Sequence, residues 1–306
     1  MLYPKEKLEQ ELERLRQKDL QVLLAVEQGM KSYEYVPKDY IVRKTGIDEK
    51  RIDYLLVELV DRGLLKILKT RNYVGFQLTY LAYDLLAITF FQKQGKLARV
   101  GEYIETGKEA DILSAELPEG KEAVLKLYHI GRTSFYRVWR RRLYVVDRQI
   151  TSWLYVSYLA ARREHEITGK IVAAGFPAAR PLAWNRNALL YEKLEAKELA
   201  RVRLSRPKKL LEEVLSTYAQ IVHDLGYVHG DFNIFNVLVD KDENFYIIDW
   251  GQALHINDPG AKEILVKEIE EFLDFFKRKY KIEVSKDRVY EMFGLNFRGI
   301  DNYNIS

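Results

Sequence analysis

The chain has 306 residues, and its 49 Lys and Arg against 45 Asp and Glu leave a formal net charge of only +4 at pH 7. Cysteine is absent, which excludes disulfides and cysteine-ligated zinc, while hydrophobic and charged fractions of 47% and 31% exclude wholesale disorder. The longest apolar run, residues 85–91, is too short to span a bilayer, and the start of the chain shows no signal-peptide pattern. We therefore expect a cytoplasmic globular protein with no membrane partner.

Residues 1–80 follow the order helix, turn, helix and hairpin. Asp48 stands where the second of these helices begins, and its side chain is suited to cap the free backbone N–H groups there. Gly63 ends that helix, and the alternating segments 64–68 and 75–79 predict a hairpin. This order is typical of a winged helix-turn-helix domain, which we assign to residues 1–80.

The predicted second helix has the basic residues Lys50, Arg51 and Arg62, but acidic residues are interspersed among them. Duplex DNA favours a predominantly basic face, so contact with RNA or protein is at least as well supported. Residues 81–95 predict a helix that links this domain to the rest of the chain, because apolar residues recur at helical spacing and Gly95 ends the pattern.

The remainder of the chain predicts two lobes, residues 96–191 and residues 192–306. In the first lobe, apolar alternation indicates strands within residues 97–128, and helical periodicity indicates a helix over residues 152–172. In the second lobe, a helix is predicted to begin at Pro207. Together with the N-terminal domain, this predicts an α+β fold class.

The segment from His229 to Asn236 places Asp231 five residues before an asparagine. A kinase needs this pair, because the aspartate orients the substrate hydroxyl and accepts its proton while the asparagine holds a metal ion. A predicted hairpin over residues 237–248 then brings Asp249 to the end of a strand, where a second metal ligand is required. These residues predict a phosphoryl-transfer site, with Asp231 and Asp249 as catalytic groups and Asn236 and Asp249 as metal ligands.

A candidate phosphate-binding segment lies upstream. Gly107, Lys108 and Glu109 form a turn in which glycine lets backbone N–H groups approach phosphate oxygens and lysine adds positive charge. An apolar strand then ends at Lys126, which is suited to contact the α- and β-phosphates and is the third catalytic candidate. Lys121 is the competing lysine, but it lies in a predicted turn.

The phosphate-binding lysine of a kinase needs a carboxylate partner on a helix. Glu164 and Glu166 both lie in the helix predicted over residues 152–172, and we favour Glu164. In a kinase, the backbone at the end of the strand that precedes the second lobe hydrogen-bonds adenine. We assign these contacts to Glu192 and Leu194 by position alone.

The chain continues for only 57 residues after Asp249. A typical protein kinase uses this region for an activation segment, an Ala-Pro-Glu-like anchor and several peptide-binding helices. Here the pattern predicts one helix over residues 261–280 and a shorter one near residues 287–293. We therefore expect the nucleotide and metal machinery of a kinase without its platform for peptides.

These features resemble the RIO family of atypical serine/threonine kinases, and the N-terminal winged helix is similar to the hallmark of its second subfamily. The resemblance extends over nearly the whole chain, and its specific segments are residues 107–109, 129–135, 185–188 and 229–236. The resemblance implies an N-terminal winged helix-turn-helix followed by a bilobal protein-kinase-like domain with a truncated C-terminal lobe.

The resemblance also implies ATP and Mg²⁺, with Mn²⁺ as a substitute. It implies that Lys126 contacts the phosphates and pairs with Glu164. The backbone of Glu192 and Leu194 would meet adenine, and residues 131–135 would form a cover near the γ-phosphate. In this family ATP phosphorylates the metal-binding aspartate, so the cycle resembles a slow ATPase switch. The implied partners are the precursor of the small ribosomal subunit, its ribosomal RNA and assembly factors.

The chain departs from the second subfamily at two points. Ala110 stands where that subfamily usually has serine, which removes a hydroxyl contact to phosphate. Trp250 and Gly251 replace the usual Phe-Pro, which changes the local loop but not Asp249 itself.

Two alternatives stay open at this stage. A small-molecule phosphotransferase of the aminoglycoside-kinase type shares the His-Gly-Asp-x-x-x-x-Asn core, but normally has a longer insertion for its substrate. A non-enzymatic module would bind RNA or the ribosome and use ATP only as a structural ligand. The basic runs 132–142 and 197–209 are either solvated faces or contacts for phosphate or nucleic acid.

Overall fold

The computed structural model describes residues 2–131 and 152–295 of the chain. Two features of the sequence lie outside these ranges: the basic run 132–142 and, apart from Gly131, the loop 131–135. Within the described ranges, no helix is both long enough and apolar enough to span a membrane.

The chain divides into two compact units, each built from two stretches of sequence. The first consists of Met1–Arg162 with Pro181–Glu192, and the second of Arg163–Arg180 with Lys193–Ser306. The domain boundaries that the sequence suggests after residues 80, 95 and 191 stay predictions.

The N-terminal part of the first unit is a winged helix-turn-helix domain, as the sequence predicts. Its elements are α1 (Lys5–Arg14), α2 (Gln17–Gly29), β1 (Val36–Pro37), α3 (Lys38–Thr45), α4 (Glu49–Asp61), β2 (Leu65–Lys69) and β3 (Val74–Leu78), and α5 (Tyr80–Lys93), predicted as a linking helix, follows them. β3 pairs antiparallel with both β1 and β2. Asp48 caps α4, since its side chain accepts a hydrogen bond from the backbone N–H of Arg51 at 3.3 Å. Gly63 follows α4 with a φ of +76°, which favours glycine.

An antiparallel sheet forms the rest of the first unit. Its strands are β4 (Arg99–Thr106), β5 (Ala110–Glu116), β6 (Glu122–Tyr128), β7 (Pro181–Asn185) and β8 (Ala188–Glu192), in the order β4-β5-β6-β8-β7. The helix α6 (Trp153–Ala173) begins in the first unit and ends in the second. One apolar core joins the winged helix to this sheet, because Leu23, Leu55 and Phe91 of the helices belong to the same buried cluster as Leu113 and Leu125 of the strands.

The second unit combines helices with two small sheets. Its elements are β9 (Ala196–Glu198), α7 (Pro207–Leu225), β10 (Tyr227–Val228), β11 (Val237–Asp240), β12 (Phe245–Ile247), β13 (Leu254–His255), α8 (Ala261–Tyr280) and α9 (Lys286–Met292). β11 pairs with β9 and β12, while β10 pairs with β13. The apolar faces of α7 and α8 build a second core, in which Tyr218, Phe272 and Phe276 are fully buried. In the described part of the chain after Asp249, the α-helices are α8 and α9, as expected for a truncated lobe.

A buried ion cluster lies among the first helices. Arg62, directly after α4, donates from Nε to Glu11 Oε2 at 2.7 Å and from Nη1 to Asp19 Oδ2 at 3.1 Å. All three side chains are at most 9% exposed. Because Glu11 belongs to α1 and Asp19 to α2, one guanidinium ties three helices of the winged helix domain together.

Replacing Arg62 with methionine should strongly destabilise the chain. The substitution leaves two buried carboxylates without their cation, a change that costs about 3–5 kcal/mol. Chemical unfolding of both variants measures the loss. Arg99→Met is the matched control, because Arg99 pairs with Glu116 at 2.8 Å while 77% exposed, and such a surface pair contributes about 0–1 kcal/mol. Equal losses for the two variants would contradict this interpretation of the cluster.

Candidate active site

The loop between β10 and β11 brings Asp231 and Asn236 together. The side-chain amide nitrogen of Asn236 donates to the backbone oxygen of Asp231 at 2.8 Å and to its Oδ2 at 3.3 Å. Asn233 stabilises the same loop, since its Nδ2 donates to the Asp231 oxygen at 2.9 Å and its Oδ1 accepts from the N–H of Phe235 at 2.8 Å. Because the amide nitrogen of Asn236 is used inside the loop, its Oδ1 is the atom that remains to bind a cation.

Asp249 lies two residues after β12, in a backbone conformation that non-glycine residues seldom adopt. Its φ and ψ are +65° and +56°. Such left-handed residues concentrate at functional sites, and aspartate tolerates the conformation better than most. The backbone N–H of Ile248 donates to the oxygen of Asn236 at 2.9 Å. The two predicted metal ligands, Asn236 and Asp249, therefore lie on neighbouring backbones.

His229 and Trp250 hold the segment that presents Asp249. The His229 ring is fully buried, and its Nε2 lies 2.8 Å from the backbone oxygen of Ile248. The Trp250 ring is also fully buried, lies 4.5 Å from the His229 ring and donates from Nε1 to the Ile247 oxygen at 3.0 Å. Trp250, which departs from the pattern of the second subfamily, is thus a core residue beneath Asp249, and it begins a short 3₁₀ turn.

Gly230 is required for the contact between these two segments. Its φ is +84°, and a Cβ at this position would lie 2.2 Å from the backbone oxygen of Gln252. A side chain would therefore push apart the loop of Asp231 and the turn that follows Asp249. The glycine of the His-Gly-Asp sequence serves close backbone packing here.

Tyr218 and Glu268 support the loop of Asp231 from below, and the sequence analysis did not identify either residue. Tyr218, on α7, accepts a hydrogen bond from the N–H of His229 at 2.9 Å and donates to Glu268 Oε2 at 2.6 Å. Glu268, on α8, accepts from the N–H of Phe232 at 2.7 Å through Oε1. Both ends of the His229–Phe232 segment are therefore fixed by buried side chains.

Burial changes the pKa of Glu268. Desolvation raises the pKa of Glu268 to about 7, and the nearby charge of Asp231 acts in the same direction, whereas the hydrogen bonds from Tyr218 and from the backbone oppose the rise. The sequence did hold a signal for this residue. Glu268 lies on the apolar face of a helix between Leu265 and Phe272, where an acid is unusual unless it has partners.

The predicted phosphate turn connects β4 to β5. The N–H of Gly107 donates to the oxygen of Ala110 at 2.9 Å, and Gly107 and Lys108 are exposed. Glu109 and Ala110 are half-buried. The turn therefore presents its glycine and lysine to solvent, and its phosphate-binding role stays a prediction.

Lys126 lies on the central strand β6, where it pairs in register with Ile112 on one side and with Leu189 on the other. Its side chain is only 7% exposed, and its Nζ lies 4.9 Å from the centre of the Tyr128 ring. Lys121, the competing lysine, is exposed. A buried lysine needs anionic partners, so the structure distinguishes Lys126 from a surface lysine.

The predicted carboxylate partners differ in the same way. Glu164 is 2% exposed, whereas Glu166 is exposed to solvent. Lys126 belongs to the first unit and Glu164 to the second, and their pairing stays a prediction. Glu192 is the last residue of β8, and the half-buried Leu194 follows it; the predicted adenine contacts of both also stay predictions.

Comparisons with known proteins match both the N-terminal part and the rest of the chain. The family model described as "RIO domain" matches residues 111–289, and the model described as "Rio2, N-terminal" matches residues 12–94. The RIO-type serine/threonine-protein kinase Rio2 of Methanocaldococcus jannaschii is 38% identical over 273 residues, with 85% of this chain and 96% of the relative covered. The serine/threonine-protein kinase rio2 of Dictyostelium discoideum is 32% identical, with 87% of this chain but only 51% of the relative covered.

A solved structure is similar over nearly the whole chain. It is the Rio2 kinase–ADP/Mg²⁺–phosphoaspartate complex from Chaetomium thermophilum, with a TM-score of 0.81, 27% identity, and coverage of 94% of this chain and 89% of that one. The matches extend over both the winged helix and the domain that contains Asp231, Asn236 and Asp249. The chain therefore belongs to the RIO family of serine/threonine-protein kinases, in its Rio2 branch.

Proposed function

We propose that this RIO-type kinase transfers the γ-phosphoryl group of Mg-ATP and works as an ATPase switch in the maturation of the small ribosomal subunit, in the cytoplasm. The observation that supports it best is the arrangement of Asp231, Asn236 and Asp249 on two loops that are hydrogen-bonded to each other. Its proposed partners are the precursor of the small subunit, its ribosomal RNA and assembly factors.

The residues present fit a magnesium ion. Asn236 Oδ1 and the Asp249 carboxylate are hard oxygen ligands, which Mg²⁺ prefers, and it usually takes only one or two such groups from the protein. Within the described residues, no group of three or more His, Cys, Asp or Glu side chains is placed to hold a metal by itself. A site completed by phosphate oxygens and water is consistent with that finding. Mn²⁺ takes the same ligands and should substitute.

We assign the chemical roles as follows. Mg²⁺ held by Asn236 and Asp249 would neutralise charge on the transferred phosphoryl group. Lys126 contacts the phosphates, while the turn of Gly107, Lys108 and Glu109 covers them. Asp231 orients an acceptor hydroxyl and takes its proton when a serine or threonine is phosphorylated.

In the ATPase cycle, Asp249 itself is the acceptor. A carboxylate oxygen of Asp249 forms a bond to the γ-phosphorus as the bond to the β–γ bridging oxygen breaks, and ADP leaves. Water then attacks the acyl phosphate, which releases inorganic phosphate and restores the carboxylate. The Chaetomium thermophilum structure, a phosphoaspartate complex, motivates this step.

Asp249→Ala should reduce Mg-ATP turnover by a factor on the order of 10² or more, because it removes both a metal ligand and the phosphoryl acceptor. It should also abolish hydroxylamine-sensitive labelling of the protein by γ-labelled ATP. Asp274→Ala, which changes an exposed aspartate of α8, is the control and should keep both signals. Unchanged turnover in Asp249→Ala would contradict the assignment. Rapid phosphorylation of a small alcohol by the wild type would favour a small-molecule phosphotransferase.

Turnover should depend on the ionisation of Glu268. In the structure each of its carboxylate oxygens accepts a hydrogen bond, an arrangement that belongs to the ionised form. Because the pKa of Glu268 is about 7, wild-type turnover should rise as the pH increases through about 7. The turnover of Glu268→Gln should not show this rise. A pH profile that keeps the rise in Glu268→Gln would contradict the role of Glu268.

The same group makes stability depend on pH in the opposite direction. Its pKa is about 7 in the folded chain and near the ordinary 4.5 after unfolding, so between these values the folded state binds more protons. The contribution of Glu268 to the free energy of unfolding is therefore greatest below pH 4.5, and it decreases by about 3 kcal/mol as the pH rises to 7. Chemical unfolding of wild type and Glu268→Gln across this pH range tests the effect. The decrease in the free energy of unfolding with rising pH should be smaller in Glu268→Gln, because glutamine does not ionise there.

A switch must bind its partner differently in its nucleotide states. We expect the affinity of the chain for small-subunit precursor particles to differ by about 5- to 150-fold between the ATP-bound, ADP-bound and nucleotide-free forms, the usual range for coupled sites. Binding assays with the full chain and purified particles measure it, and Asp249→Ala should narrow the difference between ATP and ADP. Equal affinity in all three states would favour a passive binding module.

A further inference from the structure

A buried polar cluster lies in the first unit, away from Asp231, Asn236 and Asp249 in sequence and in the other unit from them. It consists of His129, Asp84, Asp111 and Asn187, and none of these four side chains is exposed to solvent. They come from four places: the first residue after β6, helix α5, strand β5 and the turn between β7 and β8. We call this set the His129 cluster.

The imidazole of His129 lies between two carboxylates. Its Nε2 is 2.7 Å from Asp84 Oδ2, and its Nδ1 is 3.2 Å from Asp111 Oδ2. An ionised carboxylate only accepts hydrogen bonds, so this geometry fits the doubly protonated ring, which donates from both nitrogens. Asp84 also accepts from Asn187 Nδ2 at 2.6 Å and from the Tyr3 hydroxyl.

The cluster is connected directly to the predicted phosphate turn. The backbone N–H of His129 donates to the oxygen of Glu109 at 2.7 Å. Asp111 follows the turn after one residue, and its neighbour Ala110 accepts the hydrogen bond from Gly107. His129 therefore bonds to Glu109 of the turn through its backbone N–H, and its ring contacts Asp111 in the strand that follows the turn.

The other side of the cluster is the helix that follows the winged helix sheet. Asp84 lies in α5, and Tyr80 at the start of α5 packs its ring edge-on against the His129 ring at 4.9 Å. The Tyr80 hydroxyl donates to the oxygen of Ile130, and Ser157 Oγ accepts from the N–H of Ile130 at 3.0 Å. The chain from His129 to Ile130 is thereby fixed between α5 and α6.

Such a cluster is a poor way to gain stability alone. Burying three ionisable groups has a desolvation penalty that their mutual attraction only partly offsets, and apolar residues of similar volume often stabilise a core as well. What charged hydrogen bonds provide is defined distance and direction. In this cluster the hydrogen bonds hold α5 at a defined distance from the segment of residues 107–110.

We propose that His129 is a positioning residue for the nucleotide: held between Asp84 and Asp111, it fixes the phosphate turn against helix α5. This inference rests on the proposed function, because the turn is taken to cover ATP phosphates. Loss of the contact should leave a folded protein whose turn is misplaced. The affinity for Mg-ATP should then fall, while the steps that follow binding should change less.

The test compares nucleotide affinity and stability in the full chain. Asp111→Asn keeps the shape of the side chain and the Asp84 contact, and His129→Gln removes the ring. Both should weaken binding of a non-hydrolysable Mg-ATP analogue about 10- to 100-fold, the usual effect of displacing a supported group by a fraction of an ångström to an ångström. Titration calorimetry measures the affinity, and steady-state kinetics should show a raised KM for ATP with a smaller change in kcat.

Arg62→Met is the matched control, because it disrupts another buried ion cluster of the same unit that makes no contact with the turn. It should lower the melting temperature without weakening nucleotide binding. If Asp111→Asn and His129→Gln bind the analogue as tightly as the wild type, or if their affinity falls no more than that of Arg62→Met, the positioning role is overturned. If His129→Gln does not fold, Asp111→Asn decides the question.

Lys126→Met, measured in the same titration, separates the two proposals. Loss of binding in Lys126→Met together with normal binding in Asp111→Asn would overturn the role of His129 and leave the proposed function intact. Normal binding in Lys126→Met, or no binding by the wild type, would contradict the proposed nucleotide site itself. Weakened binding in Lys126→Met, Asp111→Asn and His129→Gln, but not in Arg62→Met, supports both.

Discussion

The position of Asp231 depends on two buried backbone donors that have to be satisfied. The N–H groups of His229 and Phe232 bond to the side chains of Tyr218 and Glu268. A buried N–H group without an acceptor is destabilising by about 1–3 kcal/mol, so the observed shape of the loop depends on both acceptors. Since Tyr218 lies on α7 and Glu268 on α8, the packing of these two helices is what fixes the loop.

The residue that follows Asp249 departs from the pattern of the second RIO subfamily without a change at Asp249 itself. Trp250 occupies a position where the second RIO subfamily usually has phenylalanine, and its larger ring is accommodated because it points into the core against His229. Its indole N–H is satisfied by the oxygen of Ile247. The backbone of Asp249 then follows from the strand pairing before it and from the 3₁₀ turn after it. The predicted metal ligand Asp249 is thus a different residue from Trp250, which fills the core.

Features set by local sequence were predictable. Apolar periodicity and end signals placed α8 at residues 261–280, which are its bounds in the structure, and placed the cap of α4 at Asp48. The winged helix and the truncated second lobe followed from the order of such elements. The spacing of Asp231 and Asn236 was informative for the same reason, because five residues of one loop decide whether the two side chains meet.

Contacts between residues far apart in sequence were not predictable in this way. Glu268 meets Phe232 across 36 residues, and His129 meets Asp84 across 45. Each residue has a local environment that identifies its helix or strand, but nothing local identifies its partner. The sequence therefore suggested candidate groups for phosphate chemistry from local patterns, but it did not identify the buried partners of those segments, because packing alone brings them together.

The winged helix and the sheet of the first unit share one apolar core, so the winged helix is packed into the enzyme and is not a separately tethered binding module. Leu55 of α4 and Phe91 of α5 belong to the same apolar cluster as Leu125, the neighbour of Lys126. Protein cores are close-packed, so they transmit displacements instead of absorbing them. Helix α5 is joined to the strands by this apolar packing and by the charged contacts of Asp84, so the winged helix and the sheet that bears Lys126 share one core.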